Sequence, residues 1–306
     1  MTSPTTTPAT RKTPAPLAAG LTTRRRINNQ LATVIITATI GIALIPLLWV
    51  VSELVRRGIG SIITAEWWTK SQLGVTSDMA AGGAIHAIVG TAMQVGVCAA
   101  IAIPIGLATA IYLVEYDEGG RLGKITTFMV DILSGVPSIV AALFIYSAWI
   151  VLCGFQRSGI AVSLALVLLM IPVVVRTTES MLEVVPHDLR ESAYALGIPK
   201  WKTIITIVLP TALSGIVTGL MIAIARVMGE SAPVLILVGS SASLNFNPWQ
   251  GNQSSLPLMM LDMYRADFQG PAVDKMWGAA LTLVFFIAVL TIGAKLLARM
   301  WAPAKR

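Results

Sequence analysis

The chain alternates between long apolar runs and short polar segments. Six runs are nearly free of charged residues, and most of them exceed the roughly 20 residues that an α-helix needs to cross a bilayer. They cover residues 29–52, 84–113, 126–152, 159–178, 208–239 and 276–298. The pattern predicts an all-α membrane protein with six transmembrane helices.

Proline occurs within or at the ends of several runs, for example at Pro137, Pro210 and Pro233. A proline removes a backbone donor, but neighbouring helices can compensate for such a break inside a bundle. The fifth run, 208–239, is long enough to be broken or tilted.

The two ends of the chain are polar. Residues 1–28 are rich in Thr and Pro and carry Lys and Arg, so they cannot bury enough apolar area to fold. We expect a disordered cytoplasmic tail there, a transmembrane domain over 29–300 and a second cytoplasmic tail over 301–306. The first apolar run is longer than the hydrophobic part of a signal peptide, so we expect it to remain as the first span.

Composition and charge indicate how the chain is oriented. It is 55% hydrophobic and 12% charged, about half the charged fraction of an ordinary soluble domain. Its net charge of +7 could suggest a nucleic-acid partner, but basic residues also mark the cytoplasmic loops of membrane proteins. Lys and Arg number 15 on the side that holds both ends and 6 in the loops 53–83, 153–158 and 240–275. The positive-inside rule therefore predicts cytoplasmic termini, a lipid environment and no nucleic acid.

A polar stretch, 186–210, lies between the fourth and fifth runs on the predicted cytoplasmic side. It contains ESAYALGIPKWKTIITIVLP, residues 191–210. Pro186 ends the preceding helix, and Asp188 suits the positive N-terminal end of the next one. Gly197 can adopt the left-handed conformation that ends a helix. The predicted shape is a helix, a glycine turn and a second helix, with a small-residue face that allows close approach of another protein. The residues of that face are Glu191, Ser192, Ala193 and Ala195.

This spacing resembles the EAA signature of ABC importer permeases, which reads E-A-A, three residues, G, nine residues and I-x-L-P. The positions that carry the resemblance are Glu191, Ser192, Ala193, Gly197, Leu209 and Pro210, with Ser192 in place of the central alanine. The resemblance implies that the short helix is a coupling helix. It would sit in a groove of a cytoplasmic ATPase and transmit nucleotide-driven motion to the spans. The alternative is a solvated loop between two spans.

The chain has no nucleotide-binding loop of its own. A Walker loop needs G-x-x-x-x-G-K-[ST], and in the nearest stretch, EGGRLGKI, Glu118 and Ile125 occupy required positions. We therefore expect no enzymatic activity, no catalytic residue and no cofactor in this chain, with ATP and Mg²⁺ used by a partner ATPase. Two cysteines and two histidines at unrelated positions give no metal-ligand spacing.

The resemblance extends over about residues 80–300 and is to the phosphate importer permeases of the PstA family. It is carried by the stretches at 82–91, 103–116, 135–140, 176–201 and 215–233. The last, GIVTGLMIAIARVMGESAP, is similar to a family pattern close to A-R-A-x-G-E-T-A-P, from which Val227 and Ser231 depart. The resemblance implies a type I ABC importer permease fold in the bacterial plasma membrane. It also implies a related second permease, a cytoplasmic ABC ATPase dimer and an extracytoplasmic phosphate-binding protein as partners.

Arg226 and Glu230 are charged residues within the fifth run. They are four residues apart, so in one helix they share a face, and we expect them to face the bundle and pair. A guanidinium suits a compact oxyanion such as phosphate. The resemblance implies that both residues lie on the substrate path. The alternative is a structural ion pair that fixes helix register.

Other functions remain open from the sequence. A permease for another oxyanion, such as molybdate or sulfate, shares most of these features. A secondary transporter with Arg226 and Glu230 as an ion relay predicts inverted repeats, and it leaves the spacing within 191–210 unexplained. Gly215 and Gly219 form a small-x-x-x-small face that most simply contacts another span.

Overall fold

The structure is a computed structural model that describes residues 23–76, 78–117, 119–266 and 270–301. Most of the two predicted tails, 1–22 and 302–306, lies outside these ranges. Residues 23–28, predicted as tail, form the first turns of a helix.

The described residues are helical with connecting turns. The α-helices are α1 (Thr23–Ile62), α2 (Ala65–Thr69), α3 (Ile85–Ile111), α4 (Arg121–Ser134), α5 (Ser138–Ile145), α6 (Gly159–Glu183), α7 (His187–Ala195), α8 (Lys200–Thr203), α9 (Leu209–Met228), α10 (Ala232–Leu237), α11 (Leu256–Ala266) and α12 (Pro271–Trp301). Three segments have the wider π-helical geometry: Tyr112–Tyr116, Tyr146–Leu152 and Ile204–Val208.

The chain divides into two compact units, Met1–Glu53 and Leu54–Arg306. In the described part of the first unit, α1 carries apolar side chains that are exposed on all sides, such as Ile35, Leu48 and Trp49. An apolar helix of this kind is suited to lipid or to another membrane helix.

Five helical stretches of the described residues are long and apolar enough to cross a membrane. They are Ile27–Ile62, Ile85–Tyr116, Gly159–Glu183, Lys200–Met228 and Pro271–Met300. A sixth crossing exists only if two bent helices, Arg121–Ser134 and Ser138–Leu152, count as one span. The predicted all-α membrane fold is confirmed at this level.

The predicted third span, 126–152, is broken rather than continuous. Its two halves meet at an angle of 106°. Gly135 ends α4, and Pro137 has the extended backbone of a residue that precedes a new helix. Pro137 has no amide hydrogen to continue the hydrogen bonds of α4, so the chain changes direction there.

The predicted fifth span begins earlier and ends sooner than 208–239. Its helical part runs from Lys200 to Met228, so the span begins at Lys200 and not at residue 208. The π-helical segment Ile204–Val208 ends two residues before Pro210 and widens the backbone where the proline ring would otherwise meet a carbonyl of the preceding turn. The segment after Met228 is broken at 229–231 before α10 begins.

The core of the second unit is built around α6. Of its most apolar window, 72% is buried, against 22% for Ile85–Tyr116 and 28% for Lys200–Met228. Helices α3, α4, α5, α9 and α10 pack around it. Ala161, Ala165 and Met170 of α6 are completely buried, and small side chains here allow the neighbouring helices to approach closely.

Candidate functional site

The polar stretch 186–210, called the coupling segment below, has the predicted helix and glycine turn. Helix α7 begins after Pro186 and carries Asp188 in its first turn. Gly197 has a φ of +77°, in the left-handed region. The Gly197 amide donates to Tyr194 O at 2.9 Å and the Ile198 amide to Ala193 O at 3.1 Å. This pair of bonds is a Schellman motif, which ends the helix and satisfies two of its last carbonyls.

The predicted small-residue face of α7 is divided between two sides of the helix. Glu191, Ser192, Ala195 and Gly197 are exposed, whereas Ala193 is 2% exposed and packs inside this chain. Arg190 and Ala193 are three residues apart and share the inward side of the helix. Ala193 therefore lies on the inward side, and the outward side of the segment is formed by the other four residues. The predicted part of Ala193 in coupling stays a prediction.

Leu209 and Pro210, the last two predicted coupling residues, lie in the first turn of α9. Both are half-buried, and Leu209 packs against the cluster that includes Leu182, Val185 and Val208. They connect the coupling segment to the membrane helix and do not lie on the exposed side of α7.

A buried ion pair holds α7 against the ends of α3 and α6. Arg190 Nη2 lies 2.6 Å from Glu115 Oε1, and Arg190 Nε donates to the same oxygen at 3.1 Å. The guanidinium also donates to Val185 O at 2.7 Å and to Leu182 O at 3.1 Å, at the C-terminal end of α6. The side chains are only 10% and 3% exposed. The Arg190 guanidinium thus closes the end of one helix and ties two others to it.

This ion pair is not predicted by the sequence. Glu115 follows the second apolar run, and Arg190 directly precedes the EAA glutamate, but 75 residues separate them. A lone carboxylate at the end of an apolar run is the signal that could have suggested a buried partner. The pair borders a polar cavity of about 400 Å³ whose wall also includes Glu183, His187 and Lys200.

An open groove of about 590 Å³ runs between α6 and α9. Its floor is the small-residue face predicted from Gly215 and Gly219, and that face contacts another span as expected. A Cβ at Gly219 would lie 2.7 Å from Thr177 Cβ, and one at Gly215 would lie 2.3 Å from Met181 Sδ. The groove therefore depends on the absence of side chains at these two glycines.

Arg226 lies on the same face of α9 as Gly215 and Gly219, because seven and eleven residues are close to whole numbers of helical turns. It is exposed in the single chain. Between Gly219 and Arg226, the groove wall carries Ile222, which is 58% exposed. Arg226 lies about one turn beyond Ile222 on this face, and an exposed guanidinium there is placed to meet an anion or a second membrane subunit.

Arg226 and Glu230 do not share a helix face, contrary to the sequence expectation. Helix α9 ends at Met228, with Gly229 as its C-terminal cap, and Glu230 lies in the turn before α10. Gly229 is a poor helix former, and Pro233 in the first turn of α10 cannot continue α9. Within the described residues no hydrogen bond or ion pair joins the two side chains.

A third arginine, Arg176, lines the same groove and is already paired. It donates to Glu179 Oε2 at 2.9 Å and also contacts Asp131 of α4. Across the residues that the structure describes, no three His, Cys, Asp or Glu side chains are grouped so that they could hold a metal ion. The α9 side of the described chain therefore offers an exposed guanidinium, that of Arg226, and an open groove beside it.

Comparison with known proteins gives one family. Residues 102–306 match the family described as binding-protein-dependent transport system inner membrane component. The phosphate transport system permease protein PstA 1 of Mycobacterium tuberculosis strain CDC 1551 / Oshkosh is 51% identical over 278 residues, 90% of this chain and 90% of its own. PstA of Yersinia pestis is 36% identical over 278 residues, 89% of this chain and 90% of its own.

The fold also resembles a solved structure. An inward-facing structure of the MetNI methionine ABC transporter aligns with a TM-score of 0.56 at 17% identity, over 72% of this chain and 95% of the other. At that identity the likeness shows a shared fold and nothing about the substrate.

Proposed function

The chain belongs to the PstA family of phosphate transport system permeases, a family of multi-pass inner-membrane subunits, and from this membership we propose how it works. It is a permease subunit of an ABC transporter for inorganic phosphate. It forms one half of the translocation path with a related second permease. It receives phosphate from an extracytoplasmic binding protein.

Coupling takes place through α7. The termini and the coupling segment face the cytoplasm, and a separate ABC ATPase dimer binds ATP and Mg²⁺ there. The residues that α7 offers to the ATPase are Glu191, Ser192 and Gly197, beside the apolar side chains of Leu189 and Leu196, which are 40% and 79% exposed. Movement of the ATPase reaches the membrane helices through the Arg190–Glu115 pair and through Leu209 and Pro210.

Phosphate passes along the side of α9 that carries Arg226. The guanidinium is exposed in the single chain and has the forked donors that match a compact oxyanion. Glu230 follows the break after α9, where it can accept a hydrogen bond from a protonated phosphate. The relatives favour phosphate over molybdate or sulfate, since both PstA proteins named above are phosphate transport permeases.

The observation that carries the coupling proposal is the division of α7 into two sides. Its inward side is fixed by a buried ion pair, and its outward side ends in a left-handed glycine with open space around it. A helix fixed on one side only can move as a unit with whatever binds its other side.

Co-purification of the assembled transporter tests this proposal. We expect Gly197→Asp to lose the ATPase subunits while both permeases remain together in detergent. Gly239→Asp is the matched control, because Gly239 also has a left-handed φ of +79° and open space around it but lies outside the coupling segment. Equal ATPase content in the two variants would overturn the coupling role of α7.

Uptake of radioactive phosphate into proteoliposomes tests the rest. Transport should require the ATPase, ATP and the binding protein, and excess sulfate or molybdate should not compete. Phosphate uptake driven by an ion gradient alone, without the ATPase, would contradict the proposal.

A further inference from the structure

A second cavity, lined by basic side chains, lies at the opposite end of the bundle from α7. Its volume is about 550 Å³, and it lies between the end of α1, the turn that follows and the first turns of α12. Its charged wall residues are Arg56, Arg57, Asp274 and Lys275. Gln72 contacts Lys275 and also binds Gly83, directly before α3. Glu115 lies at the far end of that helical stretch of 32 residues, about 45–50 Å away at 1.5 Å per residue.

Lys275 is an unusual member of this wall, because it is only 5% exposed. Its ammonium donates to the neutral amide oxygen of Gln72 at 3.2 Å, and the other end of that amide donates to Gly83 O at 3.0 Å. Among the described residues, no carboxylate forms a salt bridge with Lys275, although Asp78 acts on it electrostatically. A buried cation is costly unless an anion balances it.

The other groups around the cavity add to its positive potential. The Arg57 guanidinium lies 5.7 Å from the centre of the Trp277 ring, which holds it in place. The long helix α12 begins at Pro271, so the positive end of its dipole also points to the cavity. Asp274 in the wall carries negative charge, and Asp78 also acts on Lys275. Arg56 and Arg57 have further interactions of their own, so Lys275 is the cation that an anion would balance.

We propose that this cavity binds a phosphate-class oxyanion, with Lys275 and Arg57 as its cationic ligands. The ligand balances the buried ammonium, and the guanidinium provides the forked donors that suit a phosphate oxygen pair. The same chemistry fits inorganic phosphate and the phosphodiester of an anionic lipid. Trp277, which is partly exposed beside the wall, is typical of the zone where lipid headgroups lie. The inference of an anion site is independent of the transport role of Arg226.

Binding is measured on the assembled transporter in nanodiscs of pure phosphatidylcholine, with thermal unfolding followed against inorganic phosphate concentration. Lys275→Met removes the buried charge with little change in volume. Lys295→Met is the matched control, since Lys295 is an exposed lysine of the same helix. In a second arm, native mass spectrometry counts the phosphatidylglycerol that stays bound after purification from mixed phosphatidylglycerol and phosphatidylcholine bilayers.

If the ligand is inorganic phosphate, we expect a saturable stabilisation that Lys275→Met weakens about tenfold or more and Lys295→Met does not. If the ligand is a lipid, added inorganic phosphate should stabilise wild type and Lys275→Met equally. The amount of retained phosphatidylglycerol should then fall in Lys275→Met and not in Lys295→Met. Arg57→Gln must behave like Lys275→Met in whichever arm responds, and it takes the place of Lys275→Met if that variant does not assemble.

No difference between the variants and the control in either arm would overturn the anion site. The proposed transport function is judged separately, by wild-type phosphate uptake in the same preparation. That uptake can succeed while the anion site fails, and the reverse also holds.

Discussion

Two arginines of this chain, Arg190 and Arg226, show opposite uses of the same side chain. Arg190 is buried, and its guanidinium binds Glu115 and two backbone carbonyls. Arg226 is exposed on α9, and within the described residues no hydrogen bond or ion pair joins it to Glu230. The buried arginine has its donors occupied, so it holds helices together. The exposed one keeps donors for a ligand or for another subunit.

The comparison shows that charge in a membrane protein has to be interpreted together with its partners. Both arginines stand next to parts of recognised motifs, yet one has a structural role and the other is a candidate for transport. Arg176, which lines the groove but is paired with Asp131 and Glu179, belongs with Arg190.

Loss of Glu115 should have the largest effect on stability. In Glu115→Ala the buried Arg190 guanidinium loses its counter-charge, which costs about 3–5 kcal/mol. We expect little assembled complex and a large fall in its melting temperature, measured by fluorescence in detergent. Glu66→Ala is the control, because Glu66 and Lys70 form an exposed pair that is 53% and 58% exposed. A stable Glu115→Ala complex would remove the distinction between the two arginines.

Arg226→Gln should spare stability and reduce transport. If the guanidinium binds phosphate on its path, uptake should fall about tenfold or more, since a charge-assisted hydrogen bond contributes about 1.5–3 kcal/mol. Arg226→Lys should lie between the two because it keeps the charge and loses the fork. Arg299→Gln, an exposed arginine of α12, is the control for charge alone. Normal uptake by Arg226→Gln at normal expression would exclude the path role.

Gly219→Ala tests the close contact between α6 and α9 at the groove. The new Cβ would lie 2.7 Å from Thr177 Cβ, so α6 and α9 must separate at a cost of about 1–3 kcal/mol. Gly96→Ala in α3 has nothing within 4 Å of the new Cβ and should not destabilise the complex. Equal melting temperatures for the two variants would show that close helix contact does not shape the groove.

Gly197→Ala should have the smallest effect on stability, and it tests the turn that ends α7. Nothing lies within 4 Å of the added Cβ, so the cost is the left-handed backbone alone, about 1–2 kcal/mol. Gly239→Ala has the same backbone and the same open space, and its melting temperature should fall equally. Only Gly197→Ala should also lower the number of phosphate ions transported per ATP. A loss of coupling in both variants would point to general destabilisation.

Much of the local structure could be predicted from the sequence. The apolar runs predicted helices that cross a membrane, and the position of Gly197 predicted the end of α7, because both depend on nearby residues. The contact face at Gly215 and Gly219 was predicted for the same reason. Pro137 indicated the break in the third span, and the length of the fifth run indicated the break after α9. The sequence did not predict the 106° angle between the two halves of the third span.

The family, the helices and the turn of the coupling segment follow from local sequence, since periodicity, glycine and proline act over a few residues. Three features became visible only in the folded chain: Arg190 meets Glu115 across 75 residues, Ala193 faces inward, and Glu230 lies beyond the end of α9. Folding also placed Lys275 beside Gln72 in a basic cavity. Burial and partner choice depend on how distant helices pack, and a one-dimensional pattern does not specify that packing.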